Sequence, residues 1–594
     1  MTTTRTEALK ATDMAWGSDA IAAVLRALDL KYAALVPGAS YRGLHDSIVN
    51  YLGNENPQML LCLHEEHSVA IAQGYAKITG KPMLAVIHSN VGLMHASMAI
   101  FNTWVDRAPV LIIGANGPLD AQKRRPWIDW IHTTQDMGAL CRNFTKWDDT
   151  PHSPGAAVDS ILRAYQIADT LPKGPAIVFL DAEVQEQKLG APIAIPDVAK
   201  YAPPDEPAPT PADVKRVLAA LKGAKHLVIL AGRGARTTEA WDARVALAET
   251  LNAGVITQGL TGATFPTNHP LHLGQARTKA ATAALRDADV ILDLDSVDLA
   301  GTIKSVAAGK PLEAKIISAS MDRYMHRGWN MDYQGLPALD INLAAPPDAL
   351  VVTVLAELGN PKPKPAISNG TPKPKKTNGS TDSVIGIDEF SDAMSEGFAG
   401  MEVCFTRLPL GVNEADFVFS HPLDYIGGDG GGGIGSGLGI AVGAALALRE
   451  TARLPVCITG DGDFLMGNTA LWTAVQSKIP LLVIVANNRS YFNDEVHQER
   501  MAVVRSRPVE RKWIGQRIDD PPPDMAGFAR AQGAIGIGPI TDRAKIAAAL
   551  AEGIKHAKSG KVCVIDVIVR PEYSANTGPD VQATPSARTI EERG

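Results

Sequence analysis

At 594 residues the chain is too long for one hydrophobic core, so two to four domains are expected. Hydrophobic residues make up 45% and charged residues 20%, and the net charge of −7 is spread without long runs, which argues against a disordered chain and leaves no basic footprint for nucleic acid. No apolar run is long enough to cross a membrane, the start MTTTRTEALKATDMAWG lacks a signal peptide's apolar centre, and five scattered cysteines read as buried thiols, so the expectation is a cytoplasmic protein without nucleic-acid or membrane partners.

In chain order, AIAAVLRALDL reads as a helix, and YAALVPG as a strand entering a glycine turn. PQMLLCL, PMLAVIH, PVLIIGA and GPAIVFLD read as further buried strands, giving an α/β domain over 14–190 with a largely parallel sheet. A proline-rich stretch then leads to a second α/β block over 205–360, whose strands are HLVILAG, GVITQG, DVILDLD and AKIISAS. Its turn Gly232-Arg233-Gly234 is too short for a dinucleotide fingerprint. Residues 361–383 are rich in proline, lysine and serine without apolar periodicity and read as a flexible linker. The third α/β block spans 384–575, and a polar tail follows Tyr573.

The third block carries the most informative stretch, GDGDFLMGNTALWTAVQSKIPLLVIVANN. The strand LPVCIT precedes it, a helix over roughly 467–477 lies inside it, and PLLVIVA is the next strand. Asp461 and Asn488 therefore stand at the carboxyl ends of neighbouring strands, the edge at which open α/β sheets bind ligands. A carboxylate, an amide carbonyl and a nearby main-chain carbonyl make a hard, all-oxygen site suited to Mg²⁺ or Ca²⁺ beside phosphate. Upstream lies GGDGGGGIGSGLGIAVGAALAL, where glycines allow close backbone approach and a helix follows. In the first block Glu65 and Glu66 occupy a helix's first turn. His88 and Ser89 end a strand, with Asn90 to Gly92 turning into the next helix, and His95 one turn on reads as packing or support behind the site. After Asn488, Tyr491, Asn493, Asp494, Glu495, His497 and Gln498 read either as a channel or lid lining or as a solvated loop.

GDG, 24 residues and NN resembles the diphosphate-binding motif of thiamine-diphosphate enzymes, and three α/β blocks in this order resemble their decarboxylase and acetolactate-synthase branch. The resemblance implies three Rossmann-like domains (pyrimidine-binding, middle, diphosphate-binding), with thiamine diphosphate and Mg²⁺ as cofactors. It implies Asp461, Asn488 and the carbonyl of Ser490 as metal ligands, with Gly462 and Asp463 beside the cofactor. The segment around Gly432 resembles the family's G-x-G-x-M-G run, which places the Gly432 carbonyl at N4′, Ile434 as the wedge under the bent cofactor, and Gly435 next to it. A glutamate followed nine residues on by G-Y-A, here Gly74-Tyr75-Ala76, selects Glu65 to protonate N1′. H-S at 88–89 resembles benzoylformate decarboxylase and makes His88 the candidate for substrate proton transfer. That family's P-G-S turn is here Pro37-Gly38-Ala39 with Ser40 one position late, and its middle-domain histidine has no counterpart near DLDSVDLAG. Some relatives hold FAD in the middle domain, which leaves FAD open. The implied reaction makes or breaks a carbon–carbon bond next to a carbonyl. Decarboxylation of a 2-oxo acid leads, 2-hydroxyketone cleavage or acetolactate-type carboligation is the alternative, and a non-catalytic or flavin-dependent relative is the alternative from a different class. The implied assembly is a homodimer at minimum, commonly a homotetramer, with Glu65 and the metal ligands supplied by different chains.

Overall fold

The computed structural model describes residues 4–276, 278–307, 309, 311–322, 335–364, 384–412 and 414–574. Most of the expected 361–383 linker, and the tail past 574, lie outside the described residues. Three parallel sheets are present, and their interior strands are mostly buried and apolar, as a sheet covered on both faces requires. The first contains β1 (Tyr32–Leu35), β2 (Gln58–Leu61), β3 (Met83–Ile87), β4 (Val110–Asn116), β5 (Trp147–Asp149) and β6 (Ala176–Asp181), in the order β2-β1-β3-β4-β6-β5. The second contains β7 (Leu227–Ala231), β8 (Gly254–Thr257), β9 (His272–Gln275), β10 (Val290–Leu294), β11 (Lys315–Ala319) and β12 (Ile341–Leu343), in the order β12-β11-β10-β7-β8-β9. The third contains β13 (Val403–Arg407), β14 (Leu454–Gly460), β15 (Leu481–Asn487), β16 (Ile535–Ile540) and β17 (Val562–Ile568), in the order β13-β14-β15-β17-β16.

The first and third domains share a core. The helix Gly437–Leu448 carries no charged residue and is apolar all round, so it must be buried on every side. It lies against the helix Glu65–Thr79 at a separation that only glycine permits. A Cβ on Gly74 would stand 2.0 Å from the Ile440 carbonyl oxygen, and one on Gly443 would stand 1.9 Å from that of Ile71. The Gly74 of the G-Y-A signature is therefore a helix-packing residue. His67 Nε2 and Thr469 Oγ1 pair at 2.8 Å, and Thr473 donates to the Leu61 carbonyl at 2.8 Å, extending the same junction. These contacts are all within one chain.

The middle and third domains form a second continuous core, with Phe265, Phe405, Phe419 and Tyr425 at its centre. A polar cluster lies at its edge, where the Glu414 carboxyl meets Gln275 Nε2 and the Tyr425 hydroxyl, close to Gly259. Burial pushes Glu414 from 4.5 up to about 8, and the hydrogen bonds from Tyr425 and Gln275 only partly oppose it. The folded state holds this proton more tightly than the unfolded chain. Its stabilising contribution is therefore complete below about pH 4.5 and is lost as pH rises through about 8. Glu414→Gln, which mimics the protonated form, is expected to flatten the fall of the unfolding midpoint between pH 5 and 8. Parallel wild-type and variant curves in differential scanning calorimetry would rule this out.

The Gly232-Arg233-Gly234 turn is taken up by ion pairs. Arg233 lies 3.2 Å from Asp322 and 3.8 Å from Asp295, and Asp322 also binds Arg107 of the first domain.

Candidate active site

The site begins at the carboxyl ends of β14 and β15. Chain leaving β14 enters a helix at once, Asp461–Gly467, followed by a second, Ala470–Gln476. The sequence pattern suggests a single helix over roughly 467–477. The acidic residues Asp461 and Asp463 in the first turn favour the earlier start. Asp461 is 2% exposed. Its Oδ2 and the Oδ1 of Asn488 both accept from the Ser490 N–H, at 3.1 and 2.9 Å, so the two side-chain oxygens converge. Asn487 points elsewhere and donates to Asp566 Oδ1 at 2.9 Å, which leaves Asn488 as the asparagine of the pair at the site. Burial pushes the Asp461 carboxyl up to about 6, although main-chain N–H groups of Asp461, Gly462, Ser490 and Arg489 pull it back. A desolvated carboxylate held only by amides suits a cation. Among the described residues no three His, Cys, Asp or Glu side chains gather as a metal site, so the mixed oxygen set of Asp461 and Asn488 is the candidate. Ser490 contributes its N–H to both side chains, and Tyr491 packs its ring over Gly462.

Asp463 faces away from this pair. It accepts from the Gly435 N–H at 2.6 Å and from Thr459 Oγ1 at 2.6 Å, and it is ion-paired with Arg407 at 2.7 Å. Its work is to anchor the glycine ribbon. That ribbon runs along the first-domain helix Ser89–Val105. The Gly431 N–H donates to Asn102 Oδ1 at 3.0 Å, and Cβ atoms on Gly430 and Gly433 would collide with Asp106 and Met98. Gly432 differs. It is exposed at φ +72 with open space where a Cβ would stand, a cradle that a close ligand could fill. Ile434 beside it is half-buried. These residues fit a diphosphate-bearing cofactor with its cation.

The two first-domain glutamates have separate places. Glu66 accepts from Ser436 Oγ at 2.6 Å, across the domain junction. Glu65 is 6% exposed and its Oε2 lies 2.9 Å from His95 Nδ1. His95 thus touches the candidate catalytic carboxylate directly. His64 caps the helix and stacks on His95 with ring centroids 4.9 Å apart.

His88 follows β3, which neighbours β1 where the strand order reverses, the switch point at which such sheets bind ligands. It caps the helix Ser89–Val105, which begins without the expected turn. Its Nδ1 lies 2.8 Å from Ser40 Oγ. Spacing had put Ser40 out of register, yet the short helical turn Ala39–Tyr41 brings its hydroxyl onto the imidazole. Gly38 is needed here, since a Cβ would stand 2.3 Å from the His88 ring. Burial first and His132 second hold His88 below its ordinary pKa, while Glu65 opposes them. His132 is a residue that sequence reasoning missed. Its ring meets His88 edge-on with centroids 5.0 Å apart.

Beyond Asn488 the chain forms the helix Phe492–Val504. Glu495 is fully buried, binds Ser490 Oγ and is ion-paired with Arg517, so it braces the Ser490 turn and lines no channel. Asn493 accepts from the Tyr573 hydroxyl at 2.6 Å. Asp494 and Gln498 are exposed, and Tyr491 and His497 half-buried.

Comparison with known proteins agrees with this arrangement. The family described as thiamine pyrophosphate enzyme matches in three parts: its N-terminal TPP binding domain over 15–140, its central domain over 214–324 and its C-terminal TPP binding domain over 411–567. An acetolactate synthase large subunit from Lactococcus lactis is 28% identical over 286 residues, covering 47% of this chain and 48% of its own. A probable 2-ketoarginine decarboxylase from Pseudomonas aeruginosa is 26% identical, covering 55% of each chain. The matched stretch thus spans about half the length of either relative. The crystal structure of benzoylformate decarboxylase from Polynucleobacter necessarius has the same fold, with a TM-score of 0.74 at 20% identity, covering 94% of this chain and all of the other. With its three parallel-sheet domains in the family's order, this chain belongs to the thiamine pyrophosphate enzymes.

Proposed function

We propose that the protein is a thiamine-diphosphate- and Mg²⁺-dependent lyase that decarboxylates a 2-oxo acid without oxidation. The observation that carries this is the meeting, in one place, of the Glu65 helix with the glycine ribbon anchored by Asp463. When bound, thiamine diphosphate would supply a nucleophilic carbon and a cationic thiazolium ring that takes up the electron pair left on the substrate. Asp461, Asn488 and the Ser490 carbonyl would hold the cation and through it the diphosphate. Gly432 and Gly435 would lie against the cofactor, with Ile434 as the wedge. Glu65 would hold a proton at N1′. His88 would move a proton to or from the substrate, using the nitrogen that Ser40 leaves free. The similarity to acetolactate synthase supports a second reading, in which a carboligase or 2-hydroxyketone lyase uses the same residues. No FAD role is proposed, since Arg233 and its ion pairs take up the middle-domain turn. A homodimer, extending to a homotetramer, is the assembly the resemblance implies. It is not needed to bring Glu66 to Ser436, which already meet within one chain. The five free, buried cysteines support the cytoplasmic reading, and no helix among the described residues is long and apolar enough to cross a membrane.

The test is a screen of 2-oxo acids and acyloins with protein reconstituted with thiamine diphosphate and Mg²⁺, reading carbon dioxide and aldehyde. Turnover confined to acyloins, or to pairs of 2-oxo acids joined together, would replace decarboxylation with the second reading. On the best substrate, His88→Ala should lower turnover by about 10²- to 10⁴-fold, the usual worth of a placed proton-transfer group, with cofactor affinity nearly intact. A loss below about threefold, well under that range, would make His88 structural. His497 would then be the next candidate, because His421 Nδ1 already accepts from the Leu423 N–H.

A further inference from the structure

We propose that His132 is a positioning residue for His88, brought to it by the side chains of Ser89 and Asn90, and that this pair with Ser40 forms the substrate side of the site. The inference rests on the reading of His88 as the proton-transfer group. His132 lies 44 residues beyond His88 and ends the short helix Asp129–His132 in the segment between β4 and β5. Ser89 Oγ donates to the His132 carbonyl at 2.8 Å, and Asn90 Nδ2 donates to the Ile131 carbonyl at 3.0 Å. The two residues following His88 thus grip the two main-chain carbonyls at His132. Ser89 adopts φ +50, a left-handed value that is costly for a serine and is held by these bonds. The segment is fixed from its other side as well. Arg125 grips the buried Asp129, Thr133 Oγ1 donates to the Asp129 carbonyl at 2.6 Å, and Asn116 Nδ2 donates to the Thr134 carbonyl at 2.8 Å.

The consequence for His88 is a ring with two constraints. Ser40 engages Nδ1, which leaves Nε2 as the free nitrogen, and the edge-on contact with His132 restricts the ring's rotation. The charged groups facing His88 are Glu65 from the helix after β2, and Arg125 and His132 from the segment between β4 and β5. Glu65 favours the imidazolium, whereas His132 and Arg125 oppose it, and Arg125 is largely neutralised by Asp129. His132 therefore helps keep His88 neutral and able to accept a proton near pH 7.

His132→Phe retains a ring and removes the imidazole that opposes protonation of His88. Nuclear magnetic resonance titration of the His88 ring C–H in the cofactor-free protein should show its pKa rising. The acid limb of the kcat/KM profile should move to higher pH by the same amount. His132→Ala also removes the ring contact and should lower kcat by roughly tenfold with KM nearly unchanged, as expected when a reacting group is misplaced. Neither change should have a further effect in a His88→Ala background. Asn90→Leu, which frees the Ile131 carbonyl, should act in the same direction as His132→Ala, and it serves if that variant does not fold. An unmoved His88 titration in His132→Phe, or a kcat loss that persists in full without His88, would overturn the proposal. Failure of the wild type to bind thiamine diphosphate would instead overturn the assigned function and leave the titration result standing.

Discussion

Glu65→Gln is expected to leave the fold and cofactor affinity intact while slowing exchange of the cofactor's C2 proton into deuterium oxide by about 10²- to 10⁴-fold. Glutamine is nearly isosteric with glutamate, so the buried volume beside Gly92 stays filled, and a side-chain oxygen can still meet His95. The variant loses a carboxylic proton to share with N1′. Glu66→Gln is the matched control. Glu66 accepts a hydrogen bond from Ser436, and an amide oxygen can accept the same bond. That variant should exchange within a few-fold of wild type. The opposite outcome, with Glu66→Gln slow and Glu65→Gln normal, would shift the assignment by one residue. The geometry argues against this. Glu65, not Glu66, stands among His95, Gly92 and His88 at the switch-point edge of the first sheet.

Much of this arrangement was legible because strand ends can be read from sequence. Short apolar runs followed by glycine or polar residues place side chains at the carboxyl edge of a parallel sheet, and Glu65, His88, Asp461 and Asn488 all stand there. Ser40 meets His88 although it stands one position later than the family's serine, because the Ala39–Tyr41 helical turn carries its hydroxyl onto the imidazole. His132 had no readable signal at all, since its place depends on side-chain grips on carbonyls, which leave no periodicity. Glu495 was misread because a polar run after a site residue resembles solvated loop. Here its carboxylate is buried and satisfied by Arg517 and Ser490. The glycine run was legible as a close approach to ligand only in part. Gly430, Gly431 and Gly433 are spent on packing against the first domain, and Gly432 alone of these faces open space.

Asp461→Ala should abolish binding of thiamine diphosphate, and chelation of Mg²⁺ should do the same to the wild type. Asp461 is nearly fully buried, and among the described residues only main-chain N–H groups offset its charge. Its raised pKa of about 6 expresses the cost of an unbalanced charge in that place. A diphosphate brought beside it adds more negative charge, so without a divalent cation the two repel. With one, both become ligands of the same ion. Two controls separate this from loss of fold. Asn487→Ala, on the same strand end but turned onto Asp566, should bind cofactor close to normally if it remains folded. Asn488→Ala removes one neutral ligand and should weaken affinity without abolishing it. The sign of the pH dependence follows from the raised pKa. With Mg²⁺ at a fixed low concentration, affinity should fall as pH drops below about 6, because the cation must displace a proton from Asp461. In Asp461→Asn, which displaces no side-chain proton, the residual affinity should depend less steeply on pH across that range, the remainder being the protonation of the diphosphate itself. Isothermal titration calorimetry of wild type and Asp461→Ala, each with Mg²⁺ and with EDTA, is the deciding measurement. Undiminished affinity with EDTA, or in Asp461→Ala, would remove the cation from this site and with it the role given to Asn488.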